Sequence, residues 1–138
     1  MNLAPQLTFP GRCREAFQFY AELFGGEVTV INTFGGNEDR KLPPGSVPAP
    51  PEYVRFAEIK FGQNVLRGND LNEEQFVPMI GFSISLHLND ADEAKRIFDS
   101  LSLGGNTTSP LGEVDWAKLF GQVTDRFGVP WLILALDG

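Results

Sequence analysis

The sequence predicts an α+β fold made of two modules, each running strand, helix, then further strands. Three observations predict it. Two stretches carry apolar residues at three- and four-residue steps, which marks amphipathic helices. Several short runs alternate or are β-rich between glycine turns, which marks strands. The two helical stretches also repeat one another. Glu15-Ala16, Phe19-Tyr20, Leu23 and Gly25-Gly26 have counterparts in Glu93-Ala94, Ile97-Phe98, Leu101 and Gly104-Gly105. One helix cannot cover both faces of a four-stranded sheet, so two such modules can bring their open faces together around a cleft.

Leu3 to Phe9 reads as a strand closed by Pro10-Gly11. Cys13 to Phe24 reads as a helix with Ala16, Phe17, Tyr20, Leu23 and Phe24 on one stripe, stopped by Gly25-Gly26. Glu27 to Thr33 is β-rich. Five prolines between Gly35 and Glu52 make that stretch a loop. Tyr53 to Phe61 alternates as a strand, Gly62-Gln63-Asn64 reads as the turn, and Val65-Leu66-Arg67 begins the return strand. Asn69 to Pro78 is a polar linker.

The second module opens with Phe82 to Leu88, whose alternation places Ser83, Ser85 and His87 on one side. Asn89-Asp90 and Glu93 resemble a capping box for a helix over about 90–103, with Ala91, Ala94, Ile97, Phe98 and Leu101 inward. Strands follow at about Lys118 to Thr124 and Trp131 to Leu136, around a turn at Asp125 to Pro130. No strand is assigned between Gly105 and Lys118, where Glu113 and Asp115 read as solvated loop acids. The expected organisation is a single domain over 1–138, with module one at about 1–70 and module two at about 80–138.

Composition narrows the function. With 138 residues, 42% of them hydrophobic, the chain can bury a core without staples. Twelve Phe against two Tyr and two Trp put most aromatic area into core or apolar pocket wall. Eighteen acidic against 11 basic residues give a net charge of −7, which disfavours nucleic acid and anionic membrane as partners. A single cysteine excludes an internal disulfide and suits a cytoplasmic location, and no basic, apolar leader is evident at Met1 to Pro5. No glycine-rich phosphate loop or dinucleotide fingerprint occurs.

Leu7-Thr8-Phe9-Pro10-Gly11-Arg12-Cys13-Arg14-Glu15-Ala16, continuing to Phe19-Tyr20 and Phe24-Gly25-Gly26, resembles the opening of PhnB-like proteins of the vicinal oxygen chelate (glyoxalase/bleomycin-resistance/dioxygenase) superfamily. Ala57-Glu58-Ile59-Lys60-Phe61-Gly62 and Ser83 to Leu88 match in the same order. So do Trp116-Ala117-Lys118, Phe120-Gly121 and Val123 to Trp131. The resemblance implies paired βαβββ modules, an eight-stranded mixed sheet curved into a cup with helices outside, and a homodimer. In the wider superfamily the cup holds a divalent metal on four His, Glu or Gln side chains, which chelates two neighbouring substrate oxygens.

Carried onto this chain, the metal positions fall at or beside Pro5 and Gln6, at Arg67, at Ser83, and at Leu132 or Ile133. Only Gln6 could ligate, Arg67 would repel a cation, and the chain has one His and one Cys, so no metal and no other cofactor is expected. Some family members carry a methyltransferase label for 3-demethylubiquinone, yet no nucleotide-binding strand-loop-helix is present to hold a methyl donor.

The residues expected to line a ligand pocket are Gln6, Thr8, Phe56 and Arg67 from the first module. Ser83, Ser85, His87, Trp116 and Phe120 join them from the second. His87 reads as a hydrogen-bond donor or general base, or more plainly as a half-exposed strand histidine. Cys13, on the apolar stripe one turn from Phe17, reads as a buried structural thiol. Arg67 reads either as the anchor of an anionic ligand or as half of an ion pair with one of the 18 carboxylates. Trp116, Phe120 and Trp131, with Phe9 and Phe56, suggest an apolar pocket wall. Two functions fit: a metal-independent binder of a small, partly apolar compound, or an enzyme of the lyase, isomerase or dioxygenase kind with a weakly held metal. The binder leads, because a pocket needs only shape, whereas an enzyme needs donors that are scarce here.

Overall fold

A computed structural model describes residues 1–35 and 43–136. The chain divides into two compact units, Met1–Val77 and Pro78–Gly138. Eight strands are present among the described residues, four in each of two mixed sheets, with one helix in each unit. The fold is α+β, as the sequence predicts, with the strands divided into two hydrogen-bonded sheets.

In the first unit β1 is Gln6–Phe9, α1 Cys13–Phe24, β2 Glu27–Thr33, β3 Val54–Phe61 and β4 Asn64–Asp70. The sheet order is β1-β4-β3-β2, with β1 and β4 parallel and the other pairs antiparallel. α1 forms where the stripe predicts, and it buries Cys13, Ala16, Phe17, Tyr20 and Leu23. Its rings continue into the sheet: Phe17 meets Phe9 edge-on at 6.1 Å, and Phe24 meets Phe61 at 5.9 Å. The helix comes close enough that a Cβ on Gly68 would stand 2.6 Å from Phe17 Cζ. Gly25, at φ 71°, ends the helix in the left-handed region that glycine enters without steric cost.

The start of α1 departs from local rules. Arg12 stands at the N-cap without a side-chain cap bond. Asp70 supplies the cap from the end of β4, with Oδ1 accepting from the N–H groups of Gly11 and Cys13 at 3.1 and 2.9 Å. Its Oδ2 accepts from Val54 N–H at 2.8 Å. One buried carboxylate therefore joins the helix start to two strands and satisfies donors that would otherwise be orphaned.

In the second unit β5 is Ile84–Leu88, α2 Ala91–Ser102, β6 Asn106–Val114, β7 Ala117–Thr124 and β8 Pro130–Ala135. The order β5-β8-β7-β6, with β5 and β8 parallel, repeats that of the first sheet. α2 buries Ala94, Ile97, Phe98 and Leu101, and its N-cap Asp90 accepts from Asp92 N–H at 2.9 Å. A Cβ on Gly121 would stand 2.7 Å from Phe98 Cε2, the counterpart of the Gly68–Phe17 approach. Asp125 closes the β7–β8 turn by accepting from Phe127 N–H, Val129 N–H and Trp131 Nε1–H.

Several boundaries differ from the sequence reading. β1 begins at Gln6, because Leu3 is 90% exposed and outside the ladder. β4 runs on through Asn69 and Asp70, which the linker assignment had included. β6 has no counterpart in the element-by-element reading. It is polar, contains Pro110 and Gly112, and its register with β7 shifts three times, the form an edge strand takes. Of the proline-rich stretch 35–52, residues 36–42 lie outside the described residues. No described helix is long and apolar enough to cross a membrane.

Candidate functional site

In each unit the helix covers one face of its sheet, so strand parity decides which side chains stand on the other. In the first unit Leu7, Phe9, Leu66 and Gly68 lie toward α1, which leaves Gln6, Thr8, Arg67 and Asn69 on the opposite face. The register sets Glu58, Arg67 and Gln6 side by side across β3, β4 and β1. Arg67 Nε donates to Glu58 Oε2 at 3.0 Å, and Thr29 Oγ1 donates to Glu58 Oε1 at 2.9 Å. Lys60 Nζ is 3.9 Å from the same carboxylate. The Thr29 hydroxyl and then the Arg67 guanidinium hold the Glu58 carboxyl below its ordinary range, against an upward push from burial. The charge of Arg67 thus has a native partner. Its side chain remains 40% exposed.

Beside this row Asn69 Oδ1 accepts from Gln6 Nε2 at 2.9 Å, with Thr8 Oγ1 at 3.4 Å. The predicted residues Gln6, Thr8 and Arg67 are therefore gathered on one face, and Asn69 and Glu58 join them. Phe56 is half-buried, next to the helix-facing Ala57.

In the second unit Trp131, Ile133, Ala135 and Val123 are buried on the α2 side with Gly121. On the other face His87, Leu134 and Phe120 form one cross-strand row, and Ser85, Leu132 and Gln122 form the next. Ser85 Oγ and His87 Nε2 are 2.8 Å apart, so the shared direction expected for these residues holds as a direct contact. Ser83 lies just ahead of β5 and is exposed. Trp116 packs edge-on against Phe120 at 5.2 Å and is 60% exposed.

The expected aromatic wall is divided. Phe9 and Trp131 belong to the helix-side cores, and the Trp131 indole is bound to Asp125. Trp116 and Phe120 form their own pair. Cys13 is buried, and burial followed by the nearby Asp70 charge pushes its thiol far above the usual range, which suits a structural role.

The positions that hold a metal in the wider superfamily carry a poor donor set. Gln6 is already hydrogen-bonded to Asn69, Arg67 is a cation tied to Glu58, Ser83 offers only a neutral hydroxyl, and the side chains of Leu132 and Ile133 have no donor atom. Among the described residues no group of three or more His, Cys, Asp or Glu side chains could hold a metal ion. These residues do not fit a divalent ion.

A family model described as 3-demethylubiquinone-9 3-methyltransferase matches residues 1–134. The chain is 30% identical to protein YjdN of Escherichia coli K12 over 138 residues, which covers 96% of this chain and 94% of that protein. The crystal structure of protein PA1353 from Pseudomonas aeruginosa is similar at a TM-score of 0.86 and 34% identity, over 100% of this chain and 99% of that one. A PhnB protein from Bacillus cereus, described as a putative 3-demethylubiquinone-9 3-methyltransferase, gives 0.80 at 24% identity, over 98% and 99% of the two chains. Solved glyoxalase and bleomycin-resistance domains share the fold. With the model spanning nearly all of its length, the chain belongs to the PhnB-like, 3-demethylubiquinone-9 3-methyltransferase family, within the glyoxalase/bleomycin-resistance fold.

Proposed function

We propose that this protein binds a small, partly apolar molecule on the helix-free faces of its sheets, without a superfamily-type metal. The observation that carries the reading is the face of β5, β8 and β7. There Phe120 and Leu134 lie in line with His87, next to the Ser85–His87 hydrogen bond, and Trp116 stands over Phe120. An apolar floor with a few convergent polar groups is the usual form of a small-molecule site. Within the first unit by itself, Gln6, Thr8, Phe56 and Arg67 are the residues proposed to meet a ligand, and Ser83 stands beside the second unit's rows. With Glu58 balancing Arg67, the first face presents polar handles rather than a bare cation.

The Ser85–His87 contact also favours a second reading, an enzyme in which His87 moves a proton for a lyase or isomerase step. The enzyme reading with a weakly held divalent ion requires donors beyond those present at the superfamily positions.

Thermal-shift screening of aromatic acids and their neutral amides against wild type, Trp116→Ala and Arg67→Ala tests the binding reading. Compounds that stabilise wild type are expected to lose their effect in Trp116→Ala. An identical response in wild type and Trp116→Ala contradicts the assignment. Elemental analysis of protein purified without added metal separates the two classes, and one equivalent of Zn, Ni, Mn or Fe per chain would reverse their order.

A further inference from the structure

Arg55 is set apart from Arg12 and Arg67 of the first unit. Along β2 and β3, Asn32 pairs with Phe56 and the next residue, Thr33, pairs with Val54, so Arg55 is the extra residue of a bulge. Bulges redirect a side chain out of the sheet pattern. Arg55 lines a cavity of about 250 Å³. Phe34, Val47 and Leu71 give that cavity apolar wall, and Asn69, Asn72 and Gln75 give it amide groups.

Among the described residues no carboxylate answers the charge there. Arg67 has Glu58 and Arg12 has Glu15, but among the described residues Arg55 Nε is buried without a hydrogen-bond partner, and no carboxylate pairs with its guanidinium. Asp70 borders the same cavity, yet its oxygens are taken by the backbone N–H groups of Gly11, Cys13 and Val54. Arg55 is half-buried as a residue, and its buried Nε–H cannot be relieved by loss of the proton, so it calls for an acceptor.

We infer that this cavity is a second binding site, within Met1–Val77, for a small monocarboxylate with a short apolar body. The carboxylate accepts from the Nε–Nη edge of Arg55 after a small swing of the guanidinium, and the apolar body lies against Phe34, Val47 and Leu71. Arg55 is the one cation among the described lining residues, and Asp70, the one acid there, is turned to its backbone donors, so the cavity matches a single added negative charge at most. A phosphate dianion would leave a second charge unpaired in the cavity. At about 30 Å³ per water-sized group, the volume suits a ligand of roughly eight to ten non-hydrogen atoms. The site shares no residue with the Ser85–His87–Phe120 face and does not rest on the reading of that face.

Calorimetric titration with benzoate and with neutral benzamide tests the inference on wild type, Arg55→Gln, Arg55→Lys, Val47→Trp, Trp116→Ala and the control Arg96→Ala. Benzoate is expected to bind wild type and Arg96→Ala alike, and benzamide to bind at least about tenfold more weakly. Arg55→Gln should lose benzoate binding while melting close to the wild-type temperature without ligand, because no described ion pair is broken. Arg55→Lys should recover part of the binding, since the charge remains and the fork is lost. Val47→Trp, which fills the cavity from its exposed rim, should block binding with Arg55 intact. Equal benzoate binding by Arg55→Gln and wild type, equal binding of benzamide and benzoate, or no benzoate binding by wild type would each overturn the inference. Binding that survives in Arg55→Gln but fails in Trp116→Ala would overturn it while supporting the face of the second unit.

Discussion

Arg67 on β4 stands directly opposite Glu58 on β3, and its Nε lies 3.0 Å from Glu58 Oε2. The ion pair gives the helix-free face of the first sheet a charge-balanced polar row. This pair has a pH signature. The folded-state carboxyl of Glu58 titrates below the ordinary glutamate value of 4.5. Between the two values the unfolded chain binds more protons than the folded one, so stability rises with pH through that window and is lost as pH falls. Glu58→Gln should flatten the acid limb of melting temperature against pH, measured from about pH 6 to about pH 3. Parallel acid limbs in the two proteins would contradict the pairing.

Asp70 should be the most costly single carboxylate to remove from the first unit. Asp70→Ala leaves the N–H groups of Gly11, Cys13 and Val54 without their acceptor. The expected loss in urea unfolding is about 3 kcal/mol, and a loss below about 1 kcal/mol would contradict the tertiary cap. Burial raises the Asp70 carboxyl against the pull of its backbone donors, the opposite sign to Glu58. The folded state then holds more protons than the unfolded one between the ordinary and raised values. The stability margin of wild type over Asp70→Asn should therefore shrink as pH rises through that window.

The two close helix–sheet approaches make a matched pair of core tests. An alanine at Gly68 would meet Phe17 Cζ at 2.6 Å and the backbone oxygen of Leu7 at 3.0 Å. At Gly121 it would meet Phe98 Cε2 at 2.7 Å and Leu111 Cα at 3.0 Å. Each substitution should cost about 1–3 kcal/mol in chemical denaturation. Gly112→Ala, with its nearest neighbour at 4.0 Å, is the control and should cost less than either. Equal effects at all three positions would show that packing is not what requires glycine at Gly68 and Gly121.

We propose a homodimer in solution, because a sheet with one helix leaves its second face to be covered. Light scattering at roughly tens of micromolar should report twice the mass of the 15.2 kDa chain. A mass of one chain at that concentration would contradict it.

The elements most legible in the sequence were those whose signal is local. Both helices follow from apolar stripes, and α1 begins and ends at Cys13 and Phe24 as its stripe and Gly25 indicate. The Ser85–His87 contact follows from strand alternation alone. What was hidden depends on partners far along the chain. Asp70 caps a helix that starts 57 residues earlier, and nothing near Asp70 announces this. The Glu58–Arg67 pair was within reach. A two-residue Gly62-Gln63 turn sets Phe61 against Asn64 and therefore Glu58 against Arg67, whereas a three-residue turn through Asn64 shifts the register. β6 was obscured because an edge strand tolerates the proline and bulges that argue against a strand elsewhere. Arg55 escaped notice because a bulge, rather than alternation, sets its direction.

Binding of a small molecule on the helix-free faces can be located residue by residue by chemical-shift mapping. A nitrogen-labelled sample titrated with a compound that raises the melting temperature should show shifts centred on Ser85, His87 and Phe120 and on the indole of Trp116. The indole of Trp131, held by Asp125 on the α2 side, should stay in place. Shifts confined to α1 and α2, or no shift of the Trp116 indole by any stabilising compound, would contradict the account.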